Sequence, residues 1–192
     1  MATLAGDLAD TLLLRVRDPD ATAHARPFVL RLLTQCQRLI NAETRAVLSS
    51  ADLTADASST ILDIQHLLPW AIRVETIRDG IRDVQRCGSW HEIAGSDRYW
   101  LKRTAGRPVV WCHFTPARIL LYPAPIDPMT LTLIYTLKTN ILTETTPLQL
   151  PFNLEPAILD LAEEIILVRQ RLFLSIKPVA ERFEQALLDT SR

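Results

Sequence analysis

The chain has 192 residues, of which 48% are hydrophobic, so it is long and apolar enough for one sizeable domain with a packed core. Its 21 basic and 22 acidic residues give a net charge of −1, which excludes a global attraction to nucleic acid and leaves only a local basic face for DNA contact. Three scattered cysteines without CxxC spacing, and no basic leader at the N-terminus, predict a soluble intracellular chain with reduced thiols.

The N-terminal third has helical periodicity. Apolar residues spaced by four predict a helix over Leu4–Arg17. The sequence Asp18-Pro19-Asp20 ends this helix, because proline disfavours helix in the residue before it. A second helix is predicted from about Arg26 to Leu48, since Pro27 fits a first turn and a wide apolar stripe follows.

From about Leu53 to Leu142 the pattern changes to short β-branched or aromatic runs separated by proline, glycine and aspartate. A single helical turn is expected within Ser89–Trp100. The predicted strands are Ser58–Leu62, Ala71–Ile77, Val109–Phe114, Ile119–Tyr122 and Leu131–Leu137.

Helical patterning returns near the C-terminus. Asn153 can cap a helix over Leu154–Ile176 that carries Pro156 in its first turn. This helix is apolar on nearly every side, which predicts a central position or a neighbouring subunit as cover. Its charged residues exclude a simple membrane span. A last amphipathic helix is predicted over Val179–Leu188.

Together these elements predict an α+β fold in a single domain, 1–192. Two N-terminal and two C-terminal helices, within residues 1–50 and 151–192, would form a four-helix core. Residues 53–142 would form a β-rich insertion between them.

The sequence offers few parts for catalysis. It lacks a glycine-rich phosphate loop and the HExxH, GxSxG and CxxC motifs. The adjacent pair His91 and Glu92 would point in different directions. Asp160 and Glu164 share a helix face but have no ExxH companion, so an ion pair with Arg169 or Arg171, within or between subunits, is favoured over a metal. We therefore predict no catalytic, cofactor or metal site, and no enzyme.

Arginines are frequent in the middle of the chain, at Arg73, Arg78, Arg82 and Arg86, and are interspersed with aspartates. They form either a mixed-charge solvated surface or a face that passes DNA without gripping it, and we name these four as candidate channel-facing residues. A nucleic-acid-binding module is a further alternative, because Arg31, Arg38 and Arg45 fall seven apart on one predicted helix face. All four tryptophans lie in the β region, where packing is favoured over a stacking platform for single strands.

Several short motifs occur in a definite order along the chain: Leu32–Asn41, Gly88-Ser89-Trp90-His91, Pro108-Val109-Val110-Trp111, Leu120-Leu121-Tyr122-Pro123-Ala124-Pro125 and Leu150-Pro151. In this order they resemble the head-to-tail adaptor (connector, head-completion) proteins of tailed double-stranded-DNA phages. One departure is Arg73-Val74-Glu75, which stands where that family often carries an Arg-Asn pair.

The resemblance implies a structural virion protein without catalysis. Such proteins form a ring of about twelve copies between the portal and the tail, and the ring continues the DNA channel. The implied partners are further copies of the chain, the portal protein, a tail or nozzle protein and, transiently and without specificity, double-stranded DNA. The implied location is the head–tail junction of a virion assembled in the host cytoplasm, with no membrane. Another virion ring component, such as a head-completion or tail-terminator subunit, is the alternative.

Two segments are candidate interfaces. The proline-bracketed loop offers Pro123, Ile126 and Pro128. The C-terminal segment offers Pro178, Arg182, Phe183 and Leu187, because a terminal helix can extend and dock on a partner.

Overall fold

A computed structural model of the chain describes residues 3–171, which divide into two compact units. Residues 3–40 and 139–171 form the helical unit, and Asn41–Lys138 form the β unit. The helices are α1 (Ala5–Arg15), α2 (Arg26–Thr44), α3 (Ile64–Leu67), α4 (Trp90–Ser96) and α5 (residues 155–171). The strands are β1 (Leu48–Ala55), β2 (Ile61–Asp63), β3 (Ala71–Asp79), β4 (Arg82–Arg86), β5 (Val110–Thr115), β6 (Arg118–Tyr122) and β7 (Met129–Leu137).

The helical unit buries one apolar stripe on each of its long helices, as amphipathic periodicity requires. An irregular segment before α5 adds buried leucines, and the backbone N–H of Leu142 donates to the Thr34 hydroxyl on α2 at 3.0 Å. The buried side chains include Leu8, Leu12 and Leu13 of α1, Val29, Leu33 and Cys36 of α2, Leu142, Leu148 and Leu150 of the irregular segment, and Ile158, Ala162 and Ile166 of α5.

The corner between α1 and α2 is built around the carboxylate of Asp18, which is 6% exposed. It accepts hydrogen bonds from the backbone N–H groups of Thr22, Ala23 and His24 at 2.7–3.0 Å. The Thr22 hydroxyl adds a fourth at 2.8 Å. The acidic residue that the sequence places after the first helix therefore organises the whole turn into α2.

Asp18 makes stability depend on pH. Burial raises its pKa, but the hydrogen bonds from Thr22, Ala23 and His24 together outweigh burial and hold the pKa below the usual 3.8. Because the pKa is lower in the folded chain than in the unfolded chain, this stabilisation is complete above the unfolded pKa and is lost as pH falls through the folded one. We expect Asp18→Asn to be less stable at pH 7 and to lose less further stability between about pH 5 and about pH 2. Urea unfolding of the original chain and of Asp18→Asn across that range measures the stability at pH 7 and its further loss in acid. Parallel curves of stability against pH for the two proteins would contradict this role of Asp18.

The β unit is a seven-stranded sheet in the order β1-β7-β3-β4-β5-β6-β2. Every neighbouring pair is antiparallel except β4 and β5. Ala55 of β1 and Leu62 of β2 belong to one buried cluster although their strands form opposite edges of the sheet, so the sheet curls around its own core. Trp111, Leu131 and Leu133 are fully buried in that cluster. The short helix α4 covers a second, smaller cluster on β5 and β6.

The predicted four-helix core with a β-rich insertion is wrong. The β unit is a complete curled sheet with its own core, not an excursion from a helical bundle. Within residues 3–171 the helical unit contains only three long helices, and the irregular segment before α5 supplies further buried leucines. The predicted helix Val179–Leu188 lies outside the described residues.

The five predicted strands correspond to β2, β3, β5, β6 and β7, with shifted ends. The strands β1 and β4 were not predicted. The second predicted helix, from about Arg26 to Leu48, is too long, because α2 ends at Thr44 and Leu48 begins β1. The short helix α3 also follows β2 without a sequence signal, capped by the Asp63 carboxylate. Among the described residues, no helix combines the length and apolarity that a membrane crossing requires.

Asn41 ties the end of α2 to the sheet. Its side chain is fully buried, donates from Nδ2 to the carbonyl of Leu137 at 2.7 Å, and accepts from the backbone N–H of Val47 at 2.8 Å. Asn41→Ala would leave that carbonyl and that N–H without partners, so we expect a loss of about 1–3 kcal/mol in the free energy of unfolding. Chemical denaturation measures the loss. Asn140→Ala is the matched control: that side chain is exposed, and its loss should stay within about 0.5 kcal/mol.

Candidate interaction site

An arginine cluster surrounds one carboxylate on the β unit. The Glu75 side chain, only 10% exposed, lies within ion-pair distance of Arg45, Arg73 and Arg86, at 3.4, 3.5 and 3.9 Å. The Thr136 hydroxyl donates to Glu75 at 3.0 Å. Three guanidinium groups around a single carboxylate leave this arginine cluster with an excess of positive charge.

Local backbone irregularities assemble the arginine cluster. A register shift between Val74 and Thr76 interrupts the alternation of β3, so that Val74 and Ile77, three residues apart, both face the core. Glu75 lies at that bulge. Arg45 follows the last residue of α2 in a left-handed conformation, with φ of 55°. Arg86 ends β4, and its guanidinium lies 5.3 Å from the ring centre of the buried Trp111.

The arginine cluster retains an unused hydrogen-bond donor. The Nε of Arg73 is buried and has no hydrogen-bond partner among residues 3–171, since its 3.5 Å contact with Glu75 is an ion pair only. A buried donor without a partner is unfavourable, so an added anion that accepts from it would be stabilised.

A cavity of about 280 Å³ adjoins the arginine cluster, and we call it the apolar pocket. Most of its lining is aliphatic, with Arg73, His113 and Lys138 as the charged or titratable members. Burial lowers the pKa of His113, and Arg86 and Arg73 lower it further, so its imidazole is neutral at pH 7. The apolar lining comprises Ile64, Leu68, Pro69, Ala71, Ile72, Val74, Pro116 and Ala117.

The four candidate channel-facing arginines do not converge on one site. Arg73 and Arg86 join the arginine cluster. Arg78 instead pairs with Asp83 at 2.8 Å. Arg82 is exposed and forms no ion pair with any residue in the range 3–171.

The proline-bracketed loop is anchored at its base and exposed at its tip. The backbone N–H groups of Ser58 and Gly106 donate to the carbonyls of Pro125 and Ala124, each at 2.7 Å. Ile126 is 63% exposed, and Pro128 is exposed beside it. Pro123, which follows Tyr122 through a cis peptide bond, is half-buried. The other candidates, Pro178, Arg182, Phe183 and Leu187, lie outside the described residues.

The basic helix stripe proposed for a nucleic-acid-binding module does not form as predicted. Arg45 lies beyond α2 and belongs to the arginine cluster. Arg38 donates to the backbone carbonyl of Thr139 at 3.2 Å, and Arg31 to that of Pro27 at the same distance. Two of the three guanidinium groups are therefore held by their own unit.

The tryptophans lie in different environments. Trp111 is fully buried, whereas Trp70 is 56% exposed near the apolar pocket. Trp90 packs with Trp100 and Phe114, with ring centres 6.2 Å apart in each pair. These positions favour packing and contact roles over a continuous stacking platform.

The described residues contain no cluster of three or more metal-ligating side chains. The cysteines at Cys36, Cys87 and Cys112 are free, and burial raises the pKa of the Cys112 thiol to about 12 and that of Cys36 to about 11. These thiols are therefore protonated at neutral pH and unreactive as nucleophiles.

Sequence reasoning identified Arg73 and Arg86 but missed Arg45, Glu75 and Lys138 as members of one surface. These residues come from the end of α2, from β3 and from the end of β7. Only the pairing of β3 with β7 and the bulge at Glu75 bring them together, and neither leaves a signal in the sequence.

A family model matches residues 3–189 of the chain, and its members are phage adaptor proteins. The protein is thus of the class that the motif order indicated, a structural component of a phage virion. By that match, which covers nearly the whole chain, it belongs to the SU10 adaptor protein family. Among curated proteins, none matches the chain.

Proposed function

We propose that the chain forms a ring between the portal and the tail of a tailed DNA phage and that the ring extends the DNA channel. The membership of residues 3–189 in a phage adaptor family carries this proposal. An adaptor must hold two different partners, and a ring also needs contacts between copies.

Exposed apolar side chains on both units support the proposal. In the helical unit, Phe152 is 81% exposed and Leu14 is 65% exposed. In the β unit, Ile81 is fully exposed at the turn between β3 and β4, and Ile126 is 63% exposed on its anchored loop. Each of these side chains is available for burial against a partner, and burial of large apolar side chains is what the core of an interface requires.

The near-neutral charge of the chain fits a channel that lets DNA pass. Tight phosphate binding would slow the passage of DNA, since phosphate contacts supply most non-specific affinity. Arg78 is neutralised by Asp83, so only part of the predicted basic face is available. Arg82 is the member of that set best placed for a transient contact with a phosphate.

Tail attachment tests the proposal. DNA-filled capsids that carry the portal but were assembled without this chain should fail to join purified tails. Addition of the purified chain should restore joining and place extra density below the portal in electron micrographs. Capsids that join tails equally well without the chain would overturn the proposal, and binding to tails alone would favour the tail-terminator alternative.

A further inference from the structure

We infer that the apolar pocket and the adjoining arginine cluster of one copy bind the acidic face of α5 on the neighbouring copy. This inference rests on the proposed ring, because a head-to-tail ring needs two different surfaces on each copy that fit one another.

The receiving surface is both apolar and basic. Its cavity is lined mainly by aliphatic side chains, and Leu67, Trp70 and Ile72, which lie beside or within the lining, are 44%, 56% and 36% exposed. Lys138 is exposed at the cavity, and Arg73 also lines it. The best-fitting occupant therefore presents apolar side chains and carboxylates together.

The face of α5 that points away from its buried stripe has this composition. Asp160, Glu164 and Val168 follow one another at intervals of four, so they lie on one side of the helix. Glu163 and Leu167 flank them, and all five line one shallow depression together with Arg171, so three carboxylates face one guanidinium there. Leu167 and Val168 are 38% and 44% exposed, although α5 already buries Ile158, Ala162 and Ile166.

The charges on the two surfaces are opposite. Arg15 neutralises part of the α5 face through contacts of 2.6 Å with Asp160 and 3.6 Å with Glu163. Glu164 is exposed and forms no ion pair with a residue that the structure describes, so it is available to a partner. Lys138 lines the apolar pocket and forms no ion pair with a residue in the range 3–171, whereas Arg73 is paired with Glu75.

Duplex DNA fits the receiving surface less well. A phosphate backbone would use the arginines but would leave the aliphatic lining of the cavity without a partner. Glu75, in the middle of the arginine cluster, would also repel a continuous line of phosphates.

Zero-length cross-linking tests the inference on the full chain in assembled particles. The sequence has only three lysines, Lys102, Lys138 and Lys177, so a carbodiimide link to a carboxylate is assigned unambiguously. We expect Lys138 to link to Asp160, Glu163 or Glu164, and a mixture of isotope-labelled and unlabelled copies should show that the link joins two copies. Rings seen by imaging without this link, or with Lys138 linked to the portal protein instead, would overturn the inference and leave the proposed ring intact. Particles without rings would contradict the proposed function itself.

A charge exchange provides the second measurement. Lys138→Glu and Glu164→Lys should each weaken association between copies by at least about tenfold, because each places like charges opposite one another. The double variant should recover most of the loss. Lys102→Glu, which reverses an exposed lysine outside the apolar pocket, should have no effect. Two single variants that associate normally, or a double variant no better than either, would contradict the inference. Loss of duplex DNA binding in Lys138→Glu, with copies still associated, would assign the surface to DNA.

Discussion

Replacement of Trp111 by alanine is expected to lower the free energy of unfolding by about 3–5 kcal/mol. The indole is fully buried at the centre of the cluster that joins both edges of the curled sheet. Its removal leaves a cavity that the strands on both sides cannot close without loss of their hydrogen-bonded pairing. The Arg86 guanidinium also loses the aromatic ring over which it lies. Much of the marginal stability of such a unit would be lost.

Urea unfolding followed by circular dichroism measures this effect, since it does not depend on tryptophan fluorescence. Trp70→Ala is the matched control, because it removes the same side chain from a site that is 56% exposed. We expect its cost to stay within about 0.5 kcal/mol. Equal costs for the two replacements would contradict the placement of Trp111 in the core.

Trp70→Ala is expected to weaken association between copies by at least about 30-fold while the chain remains folded. An exposed tryptophan beside an apolar pocket is the kind of side chain whose truncation removes about 2 kcal/mol or more from an interface. In a closed ring the loss recurs at every contact, so the fraction of assembled rings should fall steeply. This expectation depends on the proposed subunit contact at the apolar pocket.

Sedimentation or light scattering over a dilution series measures the association. Tyr99→Ala supplies the control, because Tyr99 is 68% exposed but does not line the apolar pocket. If Tyr99→Ala disrupts assembly and Trp70→Ala does not, the contact between copies lies on another face.

The sequence predicts the strands with strong alternation and misses those without it. In β7, Leu131, Leu133 and Tyr135 alternate toward the core, and the pattern is visible by inspection. In β1 only Ala55 is buried, and apart from Leu48 and Leu53 its remaining residues are small or polar. In β4 the only buried side chain is Val84, and the other four residues are charged or polar. Such strands are held by pairing with their neighbours rather than by their own composition.

The fold class was wrong for a related physical reason. Within the described residues, helical periodicity predicts the helices α1, α2 and α5, but it does not state how many helices pack into one core. The leucines between β7 and α5 are buried without any regular period, so the sequence gives no sign that Leu142, Leu148 and Leu150 lie in the core. The size of the sheet was underestimated because two of its seven strands carry little apolar signal.

The motif order, in contrast, predicted the family, and the match over residues 3–189 confirms it. One of these motifs, Gly88-Ser89-Trp90-His91, leads into α4, where Trp90 packs with Trp100 and Phe114. The surface around Glu75 was beyond this reasoning, because its members meet only through the bulge in β3 and the pairing of β3 with β7.

The central claim is that this adaptor works as a ring on the portal. The most direct measurement is the mass of the purified chain, alone and mixed with portal-bearing particles, by light scattering with negative-stain imaging. The proposal predicts a ring of about twelve copies, of roughly 260 kDa, either free or bound to the portal. A stable 21.7 kDa monomer that leaves portal-bearing particles unchanged would contradict it.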